Sequence, residues 1–215
     1  YVADQIVPVN LLGTDYAIVR GGTDTDKEFA YVVGITNGTS VDVNGVFFGN
    51  VNERGTLKIP IPHDQPITTI TASNNVYVYH AAAAGVFPPS PSTGVGDAQL
   101  GGAIIPTITY CTGSSEVAFN RTNDGDYDFY INILVRDGAE GDFLLLDENN
   151  NDVTAIVPGL NDPSSFVLVP GPSPYNEWRY AKFDANNIIK NRQYMLINSS
   201  DYFHLAVLNG YKDFH

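Results

Sequence analysis

Short runs of β-branched and aromatic residues follow one another through the first eighty positions, each cut off by turn formers. Tyr16-Ala-Ile-Val19, Phe29-Ala-Tyr-Val-Val33, Ser40-Val-Asp-Val43, Thr56-Leu-Lys-Ile59, Ile67-Thr-Thr-Ile70 and Val76-Tyr-Val-Tyr79 are the runs. Gly21-Gly22, Asn37-Gly38, Asn44-Gly45 and the stretch from Pro60 to Pro66 separate them. Such spacing suits strands joined by tight turns and leaves no room for helices. Only Ala81 to Ala84 is helix-friendly, and four residues do not nucleate a helix. The pattern predicts an antiparallel sandwich or barrel.

From Val86 to Gly102 the texture changes. Pro88-Pro89-Ser90-Pro91-Ser92 favours an extended, polyproline-like path, and Gly94, Gly96, Gly101 and Gly102 loosen the chain beyond it. Past this linker the first half finds an echo. Gly13 to Arg20 is matched by Gly113 to Arg121, and Phe29 to Ile35 by Phe129 to Val135. An acidic turn precedes each of the latter pair, and Ala72 to Tyr79 is matched by Ile197 to His204. Four matches in the same order predict a duplicated plan. The expected fold is all-β, with two related antiparallel sandwich-like halves at 1–85 and 103–215, joined by the linker 86–102.

These residues also carry a family resemblance. Gly101-Gly-Ala-Ile-Ile-Pro106, Cys111-Thr-Gly-Ser114, Asn120-Arg-Thr122, the Leu134-Val-Arg-Asp-Gly-Ala-Glu-Gly-Asp-Phe143 run and the Phe203-His-Leu-Ala-Val-Leu-Asn-Gly210 ending resemble repeats of large secreted Bacteroidota surface proteins. Those are the gliding-adhesin type exported by the type IX system. Leu11 to Tyr16 and Asn37 to Val41 are similar to the domain named for IgG-Fc-binding proteins. The resemblance implies a surface-exposed, β-rich adhesion or scaffold module, and carries no implication that this chain binds IgG.

Charge bears on partners. A formal net charge of -13 over 215 residues repels phosphate backbones and anionic lipid, which disfavours nucleic acid and membrane surfaces. No apolar run reaches the roughly 20 residues of a membrane-spanning helix. A single cysteine, Cys111, rules out an intrachain disulfide and reads as a small buried side chain rather than a nucleophile. The chain opens on Tyr1 rather than Met and reads as a mature or excised piece of something longer. The expected location is extracellular, at the cell surface, with other domains of one large surface protein as partners.

Two sets of residues invite a chemical role. Asp24, Asp26 and Glu28 alternate along one turn, as do Asp124, Asp126 and Asp128 along its counterpart. Alternate carboxylates in a tight loop can converge on Ca2+, although neither turn has the glycine and glutamate of an EF-hand, and Asp is also a plain turn former. Gly171 to Tyr180 holds the only tryptophan, Trp178, with Tyr175 and Tyr180 beside it. These rings could stack on a sugar, while the plainer role for Trp178 is to plug an open end of a sandwich. Nucleophile elbows, metalloprotease helices and phosphate loops are absent from the sequence. His80 and His204 miss equivalence by one position, which in a strand changes the face. The expected function is non-catalytic, an adhesion or structural module that presents loops to a protein or surface glycan. The rival reading is a carbohydrate-binding module or glycan-active enzyme built on the Trp178 loop, and a viral or phage fibre domain has similar composition.

Overall fold

A computed structural model describes residues 8–21, 28–82, 101–109, 112–121 and 128–210. The chain forms two compact units, residues 1–109 with 210–215, and residues 110–209. Among the described residues the regular structure is antiparallel strand, with a few single-turn 3-10 helices. The fold class is therefore all-β, as the turn-punctuated pattern predicts.

Among the described residues seven strands build the first unit: β1 (Gly13–Val19), β2 (Glu28–Gly34), β3 (Thr39–Val43), β4 (Val46–Val51), β5 (Thr56–Ile61), β6 (Ile67–Ala82) and β7 (Gly101–Ile104). The organiser is β6. Its first part pairs with β1 and β3, placing Ile70 opposite Tyr16 and Ala72 opposite Val41. Its second part pairs with β2 and β7, placing Val78 opposite Val32 and Ala81 opposite Gly102. The ladders β4-β3-β6-β1 and β5-β2-β6-β7 thus share one strand, and their inward residues meet in a single core. Tyr16, Ile18, Val32, Val41, Ile59, Ile70 and Val78 belong to it. Burial pushes the Tyr16 phenol up to about 12, and its hydroxyl donates to the Val76 carbonyl at 2.5 Å.

The runs Ile67 to Ile70 and Val76 to Tyr79, separate in the sequence pattern, are parts of one strand, and β6 runs through Ser73-Asn-Asn75. Those polar residues are useful where one strand passes between ladders: Ser73 Oγ accepts from the Ser40 amide, and Asn74 Nδ2 donates to Thr39 Oγ1. Pro60, expected in a turn, lies inside β5 opposite Phe29. That position is open to proline because β5 ends the sheet order, where a missing N–H costs no ladder bond. Residues 103–109, expected in the second half, belong with the first unit. Gly102 lies so close to the Tyr79 hydroxyl that a Cβ there would sit 2.1 Å from it and would push the ring end aside. Thr107 Oγ1 then donates to the Asp15 carbonyl at 2.9 Å.

The second unit has β8 (Glu116–Asn120), β9 (Asp128–Arg136), β10 (Phe143–Asp147), β11 (Val167–Leu168), β12 (Trp178–Asp184), β13 (Gln193–Asn198) and β14 (Phe203–Gly210). They form a sheet β10-β13-β8 and a sheet β11-β12-β9-β14. Phe129, Ile131, Ile133, Leu145, Phe183 and Leu196 enter a common core, where Phe143 packs edge-on to Phe203 with centroids 5.2 Å apart. Arg121 fastens its 184–191 loop: the guanidinium donates to the carbonyls of Asn186 and Ile188 at 2.6 and 3.0 Å.

Some strand pairings recur in both units. In the first, β1, β6 and β3 are neighbours; in the second, β8, β13 and β10 are. In the first, β5, β2 and β6 are neighbours; in the second, β12, β9 and β14 are.

Candidate functional site

The hairpin of β3 and β4 departs from the rest of the first unit. Its two-residue turn is Asn44-Gly45, both with positive φ (51° and 76°), the backbone of a type I′ turn. Asparagine tolerates that conformation, and here its side chain is also used. Asn44 Oδ1 accepts from the Thr69 amide at 2.8 Å and from the Thr69 hydroxyl at 3.3 Å. Asn44 Nδ2 donates to Gln65 Oε1 at 2.8 Å, and the Asn44 amide donates to the Thr69 carbonyl at 2.9 Å. One residue thereby ties the tip to the start of β6.

Past this turn β4 carries Val46, Phe47 and Phe48 at 70, 61 and 43 % exposure. The register with β3 slips here, since Val41 faces Gly49 while Asp42 faces Phe47, which leaves Phe48 as the extra residue of a bulge. Bulges re-aim side chains at sheet edges. Gly49 is next, stacked on Leu57, and Val51 returns to the core. Scattered apolar residues on a surface need no explanation, but three in succession on a rigid hairpin form a patch of the kind that binds protein. Aromatic anchors held in place lose little freedom on binding.

Asn44→Ala should cost about 1–2 kcal/mol, from the lost side-chain bonds and the strain of alanine at positive φ. Equilibrium unfolding in urea reads the loss, and a change within error would refute the fastening role.

The sequence-predicted residues fall elsewhere. Asp24, Asp26, Asp124 and Asp126 lie outside the described residues, as does Cys111. Glu28 is wholly buried: Oε1 accepts from the Gly21 amide and meets His80 Nε2, both at 2.6 Å, and Oε2 is 3.7 Å from Arg20 Nε. Its carboxylate is committed to protein partners rather than displayed on a turn. Asp128 Oδ1 accepts from Asn186 Nδ2 at 3.2 Å. Among the described residues no three His, Cys, Asp or Glu side chains gather as metal ligands would.

Tyr175, Trp178 and Tyr180 are all buried, Trp178 at 1 % exposure. Along β12, Ala181 and Phe183 face the core, so Trp178 and Tyr180 project from the opposite face. Trp178 lies under the Arg136 guanidinium, 4.4 Å from its ring, and beside His204 at 5.3 Å. A stacking platform needs an open ring face, and none of the three offers one. Trp178 lies outside the main core cluster of the second unit and is covered by Arg136 and His204.

Charged groups surround this loop. Hydrogen bonding from Arg179 holds the Asp137 carboxyl below the usual carboxylate range, and Ser173, then Arg136, do the same for Glu177. Asp147 is lowered by bonds from the Asn151 side chain and the Asn151 and Asn149 amides. Its acidic loop, 147–152, is closed on itself.

Sequence reasoning passes over β4, since Gly49-Asn50 cuts the run short. The available signal is Val46-Phe-Phe48 directly after Asn-Gly, a turn succeeded at once by aromatics.

No helix among the described residues is long and apolar enough to cross a membrane. No curated protein matches the chain. Residues 1–203, which take in both units almost entirely, match the family described as IgGFc binding protein. By that match the chain belongs to the IgGFc-binding protein family.

Proposed function

We propose that this chain is a non-catalytic extracellular module of a large bacterial cell-surface protein, with the β3–β4 hairpin as its contact for a protein ligand. The observation that carries the reading is the run Val46-Phe47-Phe48, exposed on a turn that Asn44 fastens in place. The family name denotes binding to a protein, IgG Fc, and on this chain it supports a protein ligand without fixing which one. The strand pairings that recur in both units, with the sequence echo, support a duplicated module. The motifs shared with gliding-type surface proteins support a Bacteroidota origin and placement among other domains of the same polypeptide.

Beads coated with the protein, assayed for attachment to bacterial cells and to immobilised extracellular proteins including IgG Fc, test it. The Phe47→Ser/Phe48→Ser double variant should lose at least about tenfold in attachment, as expected for central anchors, while its stability stays within about 0.5 kcal/mol because both rings are already exposed. Undiminished attachment by the double variant would remove the hairpin from the function.

The carbohydrate reading has a weaker footing. Its aromatic loop is covered, and among the described residues a shallow groove of about 520 Å³ is lined by Ala118, Phe119, Asn120, Asn191, Arg192 and Gln193. Glycan-array binding abolished by Arg192→Ala and indifferent to the hairpin variant would favour it.

A further inference from the structure

The geometry of β4 says more than that it is sticky. It ends the order β4-β3-β6-β2-β5, hydrogen-bonded to β3 on one side, while no described strand pairs with the other. Every second residue of such a strand directs its N–H and C=O outward, a ready template for another chain. Proteins usually blunt such edges, and the second unit does so. The segment after β10, in the place β4 takes after β3, makes only an isolated bridge, Leu146 with Asp152. It then turns into the 3-10 helix Thr154–Ile156, with Thr154 Oγ1 accepting from the Leu145 amide. The Asp147 loop beside it uses its carboxylate on its own amides. Among the described residues the first unit keeps this edge apolar and unpaired along six residues.

Resting on the reading of this hairpin as the contact site, we propose that β4 accepts an extended segment of a protein partner as an added strand. That segment has apolar side chains in alternation, flanked by Lys or Arg. Outward backbone groups supply the ladder, and Val46, Phe47 and Phe48 supply the apolar contacts. Charge selects the flanks. The chain carries -13 overall, Asp42 stands opposite Phe47, and Asp64 adjoins the Gln65 that holds Asn44. A basic strand is attracted to this edge, whereas a second copy of the chain would bring the same acidic groups against themselves.

Three synthetic peptides test the proposal against the intact protein, monitored by backbone amide shifts and amide exchange over residues 46–50. One alternates lysine with valine and phenylalanine. The second replaces lysine by glutamate. The third keeps the lysines but is N-methylated on alternate amides, so that it cannot extend a ladder. The lysine peptide should shift and protect the β4 amides and bind at least about tenfold more tightly than either analogue. Its affinity should fall several-fold between about 0.05 and about 0.5 M salt. Equal binding by the N-methylated peptide would replace strand addition with side-chain contact alone. Equal binding by the glutamate peptide would overturn the charge assignment. No shift at β4 with any peptide, or peptide-free dimerisation through these amides, would overturn the proposal outright. In either of the last two cases, attachment still lost in the bead assay with Phe47→Ser/Phe48→Ser would leave the hairpin as the contact and remove only the added strand.

Discussion

Glu28→Ala is expected to lower the unfolding free energy by about 3–5 kcal/mol, the range for removing one member of a buried ionic cluster. The carboxylate has no exposed surface, and it serves the Gly21 amide, His80 and Arg20 at once. Alanine removes the acceptor that the Gly21 N–H and the His80 ring share, and it takes away the carboxylate that lies 3.7 Å from Arg20 Nε. Glu28→Gln should cost less, because an amide oxygen still accepts from Gly21. Urea unfolding measures both, and repeating it with a chelator adds a second discrimination. A structural cluster predicts the same loss with or without divalent ions. A loss that vanishes on chelation would instead make Glu28 a metal ligand, and a loss below about 1 kcal/mol would show that the cluster contributes little.

Acid should weaken the second unit through His204. Burial pushes His204 down from 6.5 to about 4. The residue as a whole is only half-buried, but its imidazole is enclosed between Trp178 and Thr112, whose carbonyl accepts from Nε2 at 3.1 Å. Since the folded value lies below the unfolded one, the unfolded chain binds the proton first. Stability is therefore fully present above pH 6.5 and is lost as pH falls toward about 4. At about 1.4 kcal/mol per unit the loss reaches about 3 kcal/mol at most, less for whatever water reaches the ring. His204→Gln should flatten the profile over that window. The lowered carboxyls of Asp137, Asp147, Asp152, Asp162 and Glu177 act in the same direction at lower pH, as each protonates. An unchanged slope in His204→Gln between pH 6.5 and 4 would assign the acid sensitivity to other groups.

Most strands are legible because their apolar residues face a core and their ends carry turn formers. Phe29 to Val33 and Phe129 to Val135 need nothing more. In the second of these Leu134 interrupts the alternation, because on the face it shares with Asp128, Asn132 and Arg136 both it and Asn132 are buried. Reading fails where side chains serve something other than a core. Val46, Phe47 and Phe48 give no alternation because they face outward together from a bulge. Gly102 looks like linker because its role, letting Tyr79 lie close, leaves no apolar signature. Trp178 stands out by rarity alone, and rarity does not tell an open ring from a covered one. Glu28 looks like a turn carboxylate; that it points inward to His80, 52 positions away, is a tertiary contact which local spacing does not encode.

The long strand β6 has a consequence for how the first unit comes apart. Because both ladders are registered on one sixteen-residue strand, melting of either is expected to carry the other with it. Its amides on either side of Ser73 to Asn75 should exchange with a common opening free energy, in one cooperative step. Whatever load reaches the hairpin is then borne by the entire unit rather than by one layer.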